Sequence, residues 1–197
     1  LQPKAVDFAR RRTLNFSVRA LGGDEGTAIG DFSVVSQPAS QCQQVLRIVL
    51  LGLGTVGLGV YRRLQALPGR FEVVGVAVRD VHKIRPADID RALLTTDIDR
   101  VLGIAHDVTV EVMGGLDDAR RGVERSLACG RLVVTANKDL VAEYGERLAD
   151  IARKSGGRLA YGAAVGGSVP CVEAAERLAA VGRVTSLSGV LNGTSNF

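Results

Sequence analysis

Apolar positions along the chain fall into two regimes, with the change near Val45. From there on, short runs rich in Val, Ile and Leu alternate with segments whose apolar residues recur every three or four positions. Leu46–Leu51 is interrupted only by Arg47, the pattern of a strand covered on both faces. Val56, Val60, Leu64 and Leu67 then follow at helical spacing until Pro68 and Gly69 stop the helix. Phe71–Val78 predicts a second strand, Asp88–Leu102 a helical or irregular stretch, and Val108–Met113 a third strand that runs into Gly114 and Gly115. Ala119, Val123 and Leu127 mark a helix face closed by Gly130. Leu132–Thr135 predicts a strand, and Leu140, Tyr144, Leu148 and Ile151 line a helix that ends before Gly156 and Gly157. The theme repeats with a strand at Arg158–Tyr161, a glycine-rich turn, a helix opening at Pro170 and a strand near Val184–Val190. Strands alternating with helices of this length predict an α/β fold built on a doubly wound parallel sheet. Ligands of such sheets sit beyond the carboxyl ends of the strands, so the chemistry is expected there.

Residues 1–44 follow no sustained period. Gly22, Gly23, Gly26 and Gly30 interrupt any helix, and the stretch 36–44, SQPASQCQQ, reads as a polar linker. The run Arg10–Arg12 could meet phosphate, but a solvated face is the plainer reading. This segment is treated as an N-terminal extension without assigned function. Residues 45–169 are read as a dinucleotide-binding domain, and 170–197 as the truncated beginning of a different, substrate or catalytic, domain.

Composition narrows the field. A chain of 197 residues, 46% apolar and 23% charged, has the makings of one cored globular domain with an appendage. Its longest apolar stretch, Val45 to Gly59, carries Arg47 and falls short of the roughly 18 residues of a membrane span. No apolar stretch precedes a cleavage site near the N-terminus, so a cytoplasmic location is expected. Cys42, Cys129 and Cys171 are odd in number and far apart, which argues against a disulfide framework or a zinc site. His82 and His106 are the only histidines, too few for a His-rich metal centre. The net charge of +4 is scattered, and with 4% aromatic residues there is little to stack on bases. No nucleic-acid or membrane partner is expected; a small-molecule substrate is.

The first strand ends in Gly52-Leu53-Gly54-Thr55-Val56-Gly57, a G-x-G-x-x-G between a strand and an amphipathic helix. In that setting the first glycine permits the tight turn, the second lets a pyrophosphate approach the backbone, and the third lets helix and strand pack closely. The unpaired N–H groups at the helix start then face the anion. A Rossmann-like domain follows. About 20 residues further on, the second strand ends at Arg79 and Asp80. An acidic residue there suits the ribose hydroxyls of NAD, and an Arg suits the 2′-phosphate of NADP. Arg79, with Lys83 nearby, favours NADP; Asp80 keeps NAD as the alternative.

Three later strand ends carry Glu111-Val112-Met113-Gly114-Gly115, then Thr135-Ala136-Asn137-Lys138, then Ala163-Ala164-Val165-Gly166-Gly167-Ser168-Val169-Pro170. The chain closes on Leu191-Asn192-Gly193-Thr194-Ser195-Asn196-Phe197. In this order after the glycine loop, residues 45–197 resemble the homoserine dehydrogenase family. The resemblance implies NAD(P)H-dependent interconversion of L-aspartate 4-semialdehyde and L-homoserine, in the biosynthesis of threonine, methionine and isoleucine, by a homo-oligomer. It gives Lys138 a catalytic place at the nicotinamide end, beside the close backbone approach that Gly114 and Gly115 allow. It also implies a monovalent cation held by the carbonyls of Val165, Gly167 and Val169 and by one carboxylate. The carboxylate position falls on Gly162, where the family usually has Glu, so the anionic ligand is missing from the set.

In the family the closing motif leads into a further α+β catalytic domain, and the chain stops at Phe197. The expectation is a cofactor-binding part that does not complete the reaction alone. The alternatives are a catalytically silent NAD(P)-binding module, and a semialdehyde dehydrogenase with Cys129 or Cys171 as nucleophile. Both cysteines are more simply read as structural; only Cys171 stands at a helix start that would activate a thiol.

Overall fold

A computed structural model describes residues 16–19, 26–29, 44–167, 169–186 and 188. It divides into two compact units, Leu1–Gln43 and Gln44–Phe197. In the first, β1 (Phe16–Arg19) pairs antiparallel with β2 (Gly26–Ile29), Phe16 opposite Ile29 and Arg19 opposite Gly26. No helical or alternating pattern marks these strands in the sequence; Phe, Val, Thr and Ile on both sides of the register suit paired strands. Arg10–Arg12 and the linker residues 36–43 lie outside the described residues.

The second unit is a six-stranded parallel sheet. Its strands are β3 (Leu46–Leu51), β4 (Phe71–Ala77), β5 (Leu94–Thr95), β6 (Val108–Glu111), β7 (Leu132–Thr135) and β8 (Arg158–Ala160), in the order β5-β4-β3-β6-β7-β8. The helices are α1 (Thr55–Gln65), α2 (Ile98–Gly103), α3 (Asp117–Ala128), α4 (Lys138–Ser155) and α5 (Cys171–Val181). β3 lies at the centre with both faces covered. Ile48 and Leu50 pack with Tyr61, Val73, Val76 and Val110 on one face, while Val49 and Leu51 pack with Ala77, Ile98, Val101 and Leu102 on the other. That is the period of two for successive strand residues. A further cluster, with Ala119, Val123, Leu127, Val133, Leu140 and Leu148, seats α3 and α4 on β7.

Asp88–Leu102 resolves into a 3-10 turn at Arg91–Leu93, the short strand β5 and helix α2, capped by the Asp97 side chain accepting from Arg100 N. Two expectations change. In α1, Val60 and Leu64 pack against the core as their spacing predicts, but the deepest positions are Gly57 and Tyr61, and Val56 is 56% exposed. Tyr61 wins the inner position because its ring joins the core while its hydroxyl is met by Gln65 Nε2 (3.0 Å) and Asp90 N (3.4 Å). Over Val184–Val190, the described residues Val184, Thr185, Ser186 and Ser188 form no strand. Val184 is 43% exposed, and none of these four residues pairs with the sheet. The rest of that segment and the closing motif Leu191–Phe197 lie outside the described residues, as does Ser168.

Candidate functional site

The chain order reverses at β3. From β3 it winds outward to β4 and β5, then returns to β6 on the other side. The crevice between the carboxyl ends of β3 and β6 is therefore the switch point where doubly wound sheets bind ligands. Because all six strands are parallel, the loops after β3, β4, β6 and β7 converge on one edge. A cavity of about 240 Å³ opens there, bounded by Gly52, Gly54, Arg79, Lys83, Arg85 and Met113. A larger recess of about 630 Å³ lies away from this edge, lined by α3 residues such as Asp118, Arg121 and Arg125. Arg121 and Arg125 there are paired with Asp118 and Asp99, and Arg120 lies over the Tyr144 ring.

The three glycines of the loop meet different constraints. Gly52 sits at φ +107°, and a Cβ there would lie 2.6 Å from Met113 Cα. A Cβ on Gly57 would overlap the Gly52 carbonyl oxygen, so the first turn of α1 rests against the loop. Gly54 has nothing within 4 Å of its would-be Cβ. It is the N-cap of α1 with φ −80°, a conformation open to other residues, and no acidic side chain occupies the first turn. The space in front of Gly54 is thus clear, and the start of α1 presents free N–H groups to it. This fits a pyrophosphate. Leu53, Thr55 and Val56 complete the loop, with Thr55 and Val56 exposed at the helix start.

Cations gather on the β4 side. The Arg79 guanidinium reaches across the crevice, Nη2 donating to the Gly114 carbonyl at 3.3 Å. Asp80 Oδ1 accepts from His82 N at 2.7 Å, a local turn that engages one of its oxygens. Arg85 donates to the carbonyls of Asp80 (2.8 Å) and Lys83 (3.2 Å), and its Nε is buried without a partner among the described residues. Sequence reasoning passed over Arg85, which stands six residues beyond Arg79; the turn at Asp80–His82 brings it back to the cavity wall. Its one visible signal was a third basic residue close behind Arg79 and Lys83.

Glu111 organises the opposite side. It is fully buried at the end of β6. Met113 N donates to its Oε1 (3.0 Å), and Thr135 Oγ1 donates to its Oε2 (2.5 Å). Asn137 N in turn donates to Thr135 Oγ1 (3.0 Å), Asn137 Nδ2 donates to the Gly115 carbonyl (2.8 Å), and Asn137 Oδ1 caps α4 by accepting from Leu140 N (3.1 Å). One buried carboxylate thereby ties the Gly114-Gly115 turn, with φ +68° and +84°, to the start of α4. Lys138 is the first residue of α4 and is exposed. A cation at a helix N-terminus meets the positive end of the dipole, so its place there does not serve helix stability. Its ammonium can offer hydrogen bonds to an oxygen held at the crevice.

After β8 a 3-10 turn at Gly162–Ala164 leads to Val165, to Gly166 and Gly167 at φ +76° and +63°, and to Val169. A Cβ on Gly162 would overlap Glu173 Oε1 and lie 2.9 Å from Glu173 Cδ, so a carboxylate from α5 fills the room that a Gly162 side chain would take. Cys171 Sγ donates to the Val165 carbonyl at 3.4 Å, and Cys129 is exposed at the far end of α3; neither lies by the β3–β6 crevice.

A parallel sheet, a glycine loop opening a helix at the switch point, and a cation-rich wall beyond the next strand define a dinucleotide-binding domain of the Rossmann type. Within that class, the family profile described as homoserine dehydrogenase, NAD binding domain, matches residues 52–162. The chain belongs to this family, whose ligand is a nicotinamide dinucleotide. Homoserine dehydrogenase of Synechocystis sp. is 37% identical over 161 residues, covering 77% of this chain and 37% of the relative. That of Corynebacterium glutamicum is 39% identical over 159 residues, covering 76% and 36%. Among solved structures, S. aureus homoserine dehydrogenase superposes with a TM-score of 0.57 at 34% identity, over 60% of this chain and 33% of that one. The Thiobacillus denitrificans enzyme gives 0.56 at 38%, over 70% and 34%. The chain thus spans about a third of the length of these relatives. Among the described residues, no helix is long and apolar enough to cross a membrane.

Proposed function

We propose that this chain binds NADP in the β3–β6 crevice and supplies the cofactor-holding part of a homoserine dehydrogenase. The reaction is the reversible reduction of L-aspartate 4-semialdehyde to L-homoserine. The observation that carries this reading is the cavity in which the clear space before Gly54 adjoins Arg79, Lys83 and Arg85. A dinucleotide laid across it sets its pyrophosphate on the N–H groups of α1. Its adenosine end falls against three cations, which suit a 2′-phosphate better than a bare ribose hydroxyl. Gly114, Gly115 and Lys138 then stand at the nicotinamide end.

Bound NADPH supplies the hydride. The residues of this chain supply position and charge: the Gly114-Gly115 turn allows close backbone approach, and the Lys138 ammonium donates to the aldehyde oxygen and offsets its developing negative charge. A monovalent cation on the carbonyls of Val165, Gly167 and Val169 belongs to the same reading. A second reading, a silent NAD(P)-binding module, draws on the short span of the relatives that the chain matches.

Titration of the chain with NADPH and NADH, followed by nucleotide fluorescence, tests this. NADPH is expected to bind more tightly, and Arg79→Ala to weaken NADPH about tenfold more than NADH, the loss of one charged phosphate contact. Equal losses reject the 2′-phosphate role, and binding of neither nucleotide rejects the functional reading. Homoserine-dependent reduction of NADP by the 197-residue chain alone is expected to be undetectable; turnover would reject the silent module.

A further inference from the structure

We propose that Glu173 supplies the carboxylate of the monovalent-cation site, in place of the side chain missing at Gly162. The inference rests on the cation reading above and deepens it by naming the charged ligand. Three main-chain carbonyls offer a cation only partial charges. A hard cation takes oxygen ligands, and a carboxylate among them provides the net charge that offsets its desolvation. Gly162 has no side chain to give, eleven positions before Glu173.

The fold closes that gap. The turn after β8 and the first turn of α5 face each other, and the Glu173 carboxylate lies where a side chain on Gly162 would begin, with Oε2 3.0 Å and Cδ 2.9 Å from the would-be Cβ. A Glu at position 162 would have to displace the Glu173 carboxylate and would meet like charge at short range. The carboxylate is therefore present once, carried by the helix instead of the turn. It is also free for the role: none of the ion pairs among the described residues uses Glu173. The carbonyls of Val165 and Val169 each accept one hydrogen bond, from Cys171 Sγ and Cys171 N, and keep a second lone pair for a cation. Occupied, the site would tie the turn after β8 to the start of α5.

The test is thermal unfolding of the 197-residue chain in sodium, potassium and tetramethylammonium chloride at equal ionic strength, with the sodium NMR line width as a direct binding readout. Glu173→Gln and the exchange variant Gly162→Glu with Glu173→Ala are compared with the native chain, and circular dichroism verifies that each is folded. The native chain is expected to gain Tm in sodium or potassium over tetramethylammonium, as binding to the folded state requires. Glu173→Gln should lose that gain with at least a tenfold drop in cation affinity, and the exchange variant should recover it. A Glu173→Gln chain with an unchanged gain overturns the role of Glu173 and leaves the cation site standing. So does a gain seen in the exchange variant but not in the native chain. No cation-specific gain in any of the three overturns the site and the role of Glu173 together.

Discussion

Strand β6 carries a buried polar group at each end, and the two ends are built to opposite plans. At the amino end, His106 Nδ1 lies 2.6 Å from the Ile104 carbonyl, which can only accept, so that nitrogen bears the proton. Nε2 is then an acceptor, 2.9 Å from Thr109 Oγ1 and 3.2 Å from Arg131 Nη1. Thr109 Oγ1 also bonds Ser126 Oγ at 2.9 Å, and Arg131 bonds the Leu102 carbonyl at 3.0 Å. Each of these side chains finds its partners within the network. At the carboxyl end, Glu111 is fully buried, but its bonds lead outward through Thr135 and Asn137 to the Gly115 carbonyl and the start of α4, where the exposed Lys138 stands. A network closed on itself stabilises the strand and no more; one opened at its rim holds loops in place for something that arrives from solution. The same contrast separates two glycines in one loop. Gly52 is required by the protein's own backbone, and Gly54 leaves an empty space.

The largest effect expected from breaking this contrast is at Gly52. Alanine there must adopt φ near +107° and press on Met113, and the combined strain and overpacking should cost about 4 kcal/mol in denaturant unfolding. Next is Glu111→Ala, which removes the partner of Met113 N and Thr135 Oγ1 and leaves a cavity. A loss of about 3 kcal/mol is expected, together with weaker nucleotide binding. If stability falls and affinity does not, the network is closed at both ends and the contrast fails.

At the amino end, His106→Gln should cost about 1 kcal/mol near pH 8 and leave nucleotide affinity unchanged. Burial, reinforced by Arg131 and Arg47, pushes the His106 pKa below its ordinary 6.5, against the opposing pull of the Ile104 carbonyl and Asp107. The unfolded chain therefore binds a proton at a higher pH than the folded one does. The stability from a neutral His106 is complete above about pH 6.5 and is lost as pH falls from there toward the folded value. Chemical denaturation across that window should show a slope that His106→Gln lacks. Smallest in stability is Gly54→Ala, expected within about 0.5 kcal/mol of the native chain. The same substitution should lower NADPH affinity about tenfold, because the methyl enters the space that the pyrophosphate needs. Unchanged affinity would place the phosphates elsewhere.

Much of the fold was legible in the sequence because its signals are local. Leu46–Leu51 and Leu132–Thr135 have the bounds that their apolar runs predict, and α4 ends where Gly156 takes φ +76°. In α1 the apolar period places Val60 and Leu64 against the core, while Val56, one turn earlier, is exposed. That Gly57 and Tyr61 take the deepest positions on that side depends on what β4 and the Asp90 turn offer, which no helix period encodes. β1 and β2 carry too few residues for any period to stand out.

The sequence by itself determined the alternation of strands and helices, the glycine loop and its family, since these rest on the spacing of neighbours and on residues that only certain turns accept. Tertiary structure alone decided which distant groups share a space. It brought Arg85 back beside Arg79, joined Glu111 to Thr135 and Asn137 across two strand ends, and set the Glu173 carboxylate at the bare Cα of Gly162. Side-chain reach and steric exclusion act through space, so residues far apart in the chain become one site only after the sheet has formed.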